Sequence, residues 1–381
     1  MSNHIETIDE LKHYLYLAMQ LEHATIPPYL LALYSIKPDT TTDPVTQLIE
    51  AKNAAATQVL RVVVVEEMLH LTLAANVLNA VGGTPELTKQ GFVPLYPALL
   101  PDGETDFKVD LQPFSTAAIN TFLKIERPSE LPDERKVANN RMTSRERRPE
   151  SALLYAPKGD GNVTYWSIGE FYTAIADGLK FLYEIHGPGL FSGDPSRQVP
   201  PEAFFSGGGS CIPVTDLASA LRAVELIIEQ GEGYDVGIYG SEGELAHEYR
   251  FDQLKHGRYY QPYGYDPQDK PQHPTGPELK VDWSAAYQFK VNARLADYKE
   301  NPALYAAAAD FNTSYAEFLA FLNEAFNGKP DLLIPDPNDP EKVTAIPLMF
   351  EIRNKITELI RVPIRGADGV TASPTFELYN N

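Results

Sequence analysis

Arg61-Val-Val-Val-Val-Glu-Glu-Met-Leu-His70 is the stretch whose reading decides the fold. Within it Glu67 and His70 stand three residues apart, a near-neighbour step on a helix, so both side chains can point the same way. Ala56, Leu60, Val63, Glu67, His70, Ala74, Val77 and Val81 follow steps of four and three, the pattern of one buried stripe. A carboxylate and an imidazole therefore occupy positions where core residues belong. An unpartnered carboxylate there is prohibitively costly, and a metal cation is one of the few partners that resolves it. Glu-x-x-His on an inward face is half of a dinuclear carboxylate site of the kind built inside four-helix bundles. The rest of the chain has to supply the other half.

Upstream, Ile8, Leu11, Leu15, Ala18, Glu22, Thr25 and Tyr29 repeat the pattern, which makes Glu22 a second carboxylate on an apolar stripe. Pro27-Pro28 follows closely and predicts a kink or restart just past Glu22, because proline lacks an N–H and crowds the carbonyl four residues back. The first two helices are expected over about 8–35 and 46–81, separated by the turn-rich residues 37–45 and stopped by Gly82-Gly83. From 84 to 166 the pattern breaks into a long irregular insertion. In it, Asp106-Phe-Lys-Val-Asp-Leu111 alternates like a short strand, Ser115 to Ile125 is one short helix, and residues 127–150 form a charged, solvated loop.

A third helix runs from Ser167 or Asn162 to about His186, carrying Phe171, Ile175, Leu182 and Ile185 with Glu170 on the flank. A fourth, about 215–231, opens at Thr215–Asp216 and carries Leu217, Leu221, Val224 and Ile228, with Glu225, Glu229 and Glu232 on or beside that stripe. Further helices fall at about 243–257, where His247 and Phe251 share a face, and at 299–328 and 340–361. The fold class is mainly α: a four-helix bundle with extra helices and a long insertion between its second and third members, in one domain over residues 1–381.

Composition narrows the function. A net charge of −20 argues against a general nucleic-acid or anionic-membrane binder, since both depend on Lys and Arg. No unbroken apolar run reaches the roughly 18 to 20 residues of a membrane span, and the polar start Met1-Ser-Asn-His reads as no signal peptide. Cys211 is the single cysteine, so neither a disulfide framework nor a thiolate cluster is available, which fits a reducing cytoplasm. Ser206-Gly-Gly-Gly-Ser210 lacks the Lys-Ser/Thr ending of a phosphate-binding loop.

The candidate metal ligands are then Glu22, Glu67 and His70 from the first helix pair, with Glu170, Glu229 and His247 from the second half. Glu225 and Glu232 are rivals for the place of Glu229. Oxygen and imidazole donors without thiolate suit two iron or manganese ions, with zinc or copper as alternatives. Two divalent ions would offset the repulsion among four clustered carboxylates.

Glu22-His-Ala-Thr-Ile-Pro-Pro-Tyr29, Val65-Glu-Glu-Met-Leu-His70, Ile168-Gly-Glu-Phe-Tyr172, Glu229-Gln-Gly-Glu-Gly233 and His247-x-x-Arg250-Phe251 resemble the ferritin-like domain of the iminophenyl-pyruvate dimer synthases. These are the enzymes of violacein and rebeccamycin biosynthesis that couple two imines derived from aromatic amino acids. Ala118 to Pro128, with Ile125-Glu-Arg-Pro128, and Ser373-Pro-Thr-Phe-Glu377 extend the resemblance over nearly the whole chain. It implies a ferritin-like bundle with a metal centre. In the pathway enzymes the domain is one part of a much longer polypeptide.

The expected function is a metal-dependent oxidoreductase working with dioxygen or peroxide on a small organic, amino-acid-derived substrate. Tyr29, Tyr172 and Arg250 would orient ligands or substrate. Alternatives are a non-catalytic metal-binding or storage protein and an accessory protein of a secondary-metabolite pathway. The expected partners are a small-molecule substrate and a second copy of the chain, with no nucleic acid and no membrane.

Overall fold

The computed structural model describes residues 5–38, 53–103, 106–127, 165, 167–205, 207–233, 238–240, 243–261, 273–339 and 341–378. Helix α1 (Ile8–Ser35) starts from a capping box: the Thr7 hydroxyl accepts the Glu10 N–H, and the Glu10 carboxylate accepts the Thr7 N–H. Helix α2 (Ala54–Ala80) ends at Val81 and Gly82, the latter with φ +74°. The expected start of this helix near residue 46 lies outside the described residues. So do the charged loop 128–150 and Asn162.

Helix α3 (Thr116–Ile125), capped by Ser115, lies in the insertion. Helix α4 (Ile168–His186) is capped by Ser167, and α5 (Leu217–Glu232) by Asp216, which forms a capping box with Ser219. Helices α6 (His247–His256), α7 (Pro302–Ala325) and α8 (Ala345–Leu359) complete the set. The alternating stretch 106–111 forms an isolated bridge, Val109 with Ala98, rather than a strand.

Helices α1 and α2 pack along their length, α4 packs on α5, and α1–α4 and α2–α5 contacts close these four into a bundle. Helix α6 leans on α2, α3 and α5, which brings the insertion helix α3 against the bundle. Helices α7 and α8 pair with each other, and α8 also contacts α1. One hydrophobic cluster draws residues from all eight helices, including Leu15, Leu73, Phe122, Phe171, Ile227, Phe251, Phe311 and Ile352. By length and composition α2 could cross a membrane, but 83% of its most apolar window is buried inside the protein. It is the central helix of the bundle.

Of the kink or restart expected at Pro27 and Pro28, the restart does not occur; α1 runs through both. The lost hydrogen bonds are partly replaced. Pro28 has no N–H for the Ala24 carbonyl, and the Tyr96 hydroxyl donates to that oxygen at 2.8 Å. Tyr96→Phe is therefore expected to strand a buried carbonyl and to destabilise the protein by about 1–3 kcal/mol, read as a lower denaturant midpoint at unchanged slope.

Candidate metal centre

Four elements bring carboxylates and imidazoles to one buried point. Helix α1 supplies Glu22, α2 supplies Glu66, Glu67 and His70, the C-cap of α3 supplies Glu126, and the first residue of α6 is His247. All are between 0% and 4% exposed. Their donor atoms form two groups that share Glu67. Glu22, Glu67 and His70 make the first, and Glu67, Glu126 and His247 the second.

In the first group His70 Nδ1 lies 3.3 Å from Glu22 Oε2 and 4.0 Å from Glu67 Oε1. In the second, His247 Nδ1 lies 3.0 Å from Glu67 Oε1 and 3.4 Å from Glu126 Oε2. The far nitrogen of each ring is anchored elsewhere: His70 Nε2 sits 2.9 Å from Gln230 Oε1, and His247 Nε2 sits 2.8 Å from Glu66 Oε2. An Nε2–H donated outward turns the Nδ1 lone pair toward the carboxylates, the arrangement usual for metal-binding histidines. The imidazoles face each other with centroids 5.5 Å apart.

This donor set fits divalent metal ions. His247 Nδ1 is fully buried and makes no hydrogen bond, although two carboxylates lie within 3.4 Å. Two donors about 2.1 Å from a common ion stand roughly 3.0–3.4 Å apart, depending on coordination angle. The 3.0, 3.3 and 3.4 Å separations fall in that interval.

Hydroxyl groups hold the remaining oxygens. Tyr172 donates to Glu22 Oε1 and Tyr29 to Glu126 Oε1, each at 2.5 Å, while the Thr25 hydroxyl lies 2.7 Å from Glu67 Oε2. Burial, together with Glu126 beside Tyr29 and Glu22 beside Tyr172, raises both phenols well above their ordinary range, so both stay protonated donors. Arg250 NH2 lies 3.6 Å from Glu66 Oε1, and its Nε donates to the Leu245 carbonyl. It thus steadies the carboxylate that orients His247. Phe122 and Phe251 pack on the Tyr29 ring, with centroids 4.6 and 5.5 Å away, and shut water out on that side.

The electrostatics reflect crowded charge. Burial and the nearby Glu126 push Glu67 up to about 7. Burial opposes protonation of both histidines, but Glu22 outweighs it at His70, and Glu126 with Glu66 outweighs it at His247, which lies well above its usual value. Protons held by Glu67, His70 and His247 partly balance the carboxylates.

Two residues expected as ligands lie outside the cluster. Glu170 is half-buried in the first turn of α4, beside Tyr165. Tyr172, about 200° further round the helix, takes the inward position. Glu229 is half-buried and pairs with Arg222 at 3.3 Å. The buried face of α5 runs through Ala220, Ala223, Ile227 and Gln230, one residue off the stripe of larger side chains, so Gln230 turns inward in place of Glu229. The rivals also fall away. Glu225 is exposed beside Arg222, and Glu232 Oε1 accepts the Gly169 N–H at 2.7 Å, tying α5 to α4.

Glu126, Glu66 and Gln230 are the residues that sequence reasoning missed. Glu126 follows Phe122 by four and Ile119 by seven, so it too is a carboxylate on an apolar stripe. Gln230→Leu is expected to free the His70 ring and weaken metal retention about 10- to 100-fold, measured by competition with a chromophoric chelator.

Cys211 is buried, and burial pushes its thiol up to about 11, so it is an inert packing residue. A cavity of about 1,520 Å³ opens between α1–α2 and α7–α8, with Leu30, Val64, Met68, Phe318 and Met349 in its walls. Met68 and Val64 face it, whereas Glu67 and His70 face the bundle. None of the carboxylate–imidazole cluster residues is among those that line this cavity.

Comparison with known proteins agrees with this architecture. A sequence model described as ferritin-like matches residues 15–256. Dichlorochromopyrrolate synthase from Lentzea aerocolonigenes is 26% identical over 328 residues, which is 82% of this chain but 29% of that protein. The chain thus spans less than a third of that relative's length. The crystal structure of a ferritin-like protein from Caulobacter vibrioides superposes with a TM-score of 0.54 at 22% identity, over 93% of this chain and 96% of that one.

Proposed function

The chain belongs to the ferritin-like family, and from that premise we propose that it is a metal-dependent oxidoreductase acting with dioxygen or peroxide on a small organic substrate. Glu22, Glu67 and His70 would hold one ion, and Glu67, Glu126 and His247 a second. Two iron ions suit these donors best, with manganese or zinc as alternatives. The metals supply redox chemistry that no side chain of this cluster has. The chain's own residues set geometry and protonation. Gln230 and Glu66 fix the two imidazoles in one tautomer, Arg250 steadies Glu66, and Tyr29 and Tyr172 hold the terminal carboxylates. Proton donors stand at both ends of the cluster, while burial keeps bulk water out.

The observation that carries this reading is the shared Glu67 between two histidines, each presenting Nδ1 inward with Nε2 anchored outward. An ordinary buried ion pair needs no such symmetry. The relative named a dichlorochromopyrrolate synthase, with the resemblance to enzymes that couple imines of aromatic amino acids, supports an aromatic amino-acid-derived substrate. Iron-loaded protein should consume dioxygen or peroxide faster when aromatic α-keto or α-imino acids are added, and the Glu67→Ala protein should not. Equal consumption by both would refute the proposal.

The closed cluster gives specific support to a second reading, a metal-binding protein without catalysis. Iron uptake well beyond two ions per chain, with no substrate-dependent consumption of oxidant, would favour it.

A further inference from the structure

A separate group of metal-ligating side chains lies at the C-terminal end of α6. Asp252 and His256 stand four residues apart on that helix, and His273 meets them from later in the chain. One donor atom from each lies within 4.8 Å of the other two. Asp252 is 2% exposed, whereas His256 and His273 are both exposed, so the group has a buried base and an open mouth.

His256 Nε2 is 3.4 Å from Asp252 Oδ1, and His273 Nδ1 is 3.9 Å from Asp252 Oδ2. Two donors about 2.0–2.1 Å from a tetrahedral ion stand about 3.3–3.4 Å apart, which the first distance matches. The imidazole centroids are 4.5 Å apart and tilted by 40°, so two rings crowd one carboxylate. The carboxylate itself is held in place. Tyr260 donates its hydroxyl to Asp252 Oδ2 at 2.7 Å, and the Tyr260 N–H is bound in turn by Gln253 Oε1. A buried, oriented carboxylate with two imidazoles at its mouth is half-built for a dication.

We infer that Asp252, His256 and His273 form a second metal site, separate from the bundle cluster, that takes zinc with three protein ligands and water in the fourth position. Nitrogen and oxygen donors without thiolate, three in number, are a zinc set of this open type. One ion there ties α6, the helix that begins with His247, to the chain at His273. The i,i+4 spacing of Asp252 and His256 lets one helical face supply two of the three ligands.

The test uses the full-length protein, stripped of metal and titrated with Zn²⁺ against a chromophoric chelator, beside His256→Ala, His273→Ala and Glu67→Gln proteins. His256 and His273 are at the surface, so both variants should fold. The parent is expected to bind one more zinc ion than either histidine variant. With Co²⁺ the parent should show the intense visible bands of a tetrahedral ion, which both histidine variants lack and Glu67→Gln keeps. Unchanged stoichiometry and spectrum in either histidine variant overturns the three-residue site. Loss of the tetrahedral bands in Glu67→Gln would assign them to the bundle and overturn it equally.

Discussion

Glu67→Gln is expected to abolish metal retention at both halves of the bundle site, because Glu67 is the one residue common to the two donor groups. Glutamine keeps the size of the side chain but has no charge to offer a cation. Orienting partners of ligands already carry about 10- to 100-fold in affinity, so losing a shared ligand should exceed about 100-fold. Iron content after gel filtration should fall from about two ions per chain, the number these two groups imply, to near background. The iron-dependent rise in melting temperature should vanish with it. Saturating metal at about 1,000 times its dissociation constant adds about 4 kcal/mol, which is on the order of 5 °C or more for a protein of this size.

Glu126 and Glu229 make the sharper contrast. Glu126→Gln should weaken metal binding as a ligand loss does, although the residue lies in the insertion rather than on a bundle helix. Glu229→Ala, on the half-buried face beside Arg222, should leave metal content unchanged and stability within about 0.5 kcal/mol. Glu170→Ala should behave like Glu229→Ala. The reverse pattern would return the fourth-helix carboxylate to the site and remove Glu126 from it.

That contrast also shows where sequence stops being enough. The bundle was legible because α1 and α2 carry long, regular apolar stripes, and Glu22, Glu67 and His70 sit on them without ambiguity. Helix α5 is different. Its large apolar residues, Leu217, Leu221 and Ile228, are half-buried, while Ala220 and Ala223 take the tight contacts. Choosing the face by side-chain size turned the helix by about 100° and exchanged Gln230 for Glu229. Glu126 was hidden for another reason: α3 reads as part of an irregular insertion, and only its packing on α6 shows that the insertion completes the site. That α1 would continue through Pro27-Pro28 was not legible because the hydroxyl that compensates, on Tyr96, is distant in sequence.

Metal-free protein is expected to lose stability as pH rises from about 5 to 8, and metal-loaded protein to gain it. Glu67 sits at about 7 in the folded state against an ordinary carboxyl value of 4.5, raised by burial and by Glu126. Between those values the folded chain holds a proton that the unfolded chain has released, so raising the pH favours unfolding. The contribution is whole below about pH 4.5 and lost as pH passes through about 7. A shift of this size corresponds to about 3 kcal/mol. His70 and His247 act in the same direction, since both are raised above 6.5 and lose their folded-state protons only at higher pH. Metal binding reverses the sign. Both Nδ1 atoms and the Glu67 carboxyl must be deprotonated to act as ligands, so uptake releases up to about three protons and grows more favourable with pH. Denaturant unfolding of metal-free parent and Glu67→Gln proteins isolates the first effect from the other carboxylates, because glutamine stands in for the protonated acid and does not titrate. The stability of the parent relative to Glu67→Gln should fall steadily across the window. A difference that is flat, or that rises with pH, would mean that Glu67 is ionised in the empty bundle and that protons do not balance this cluster.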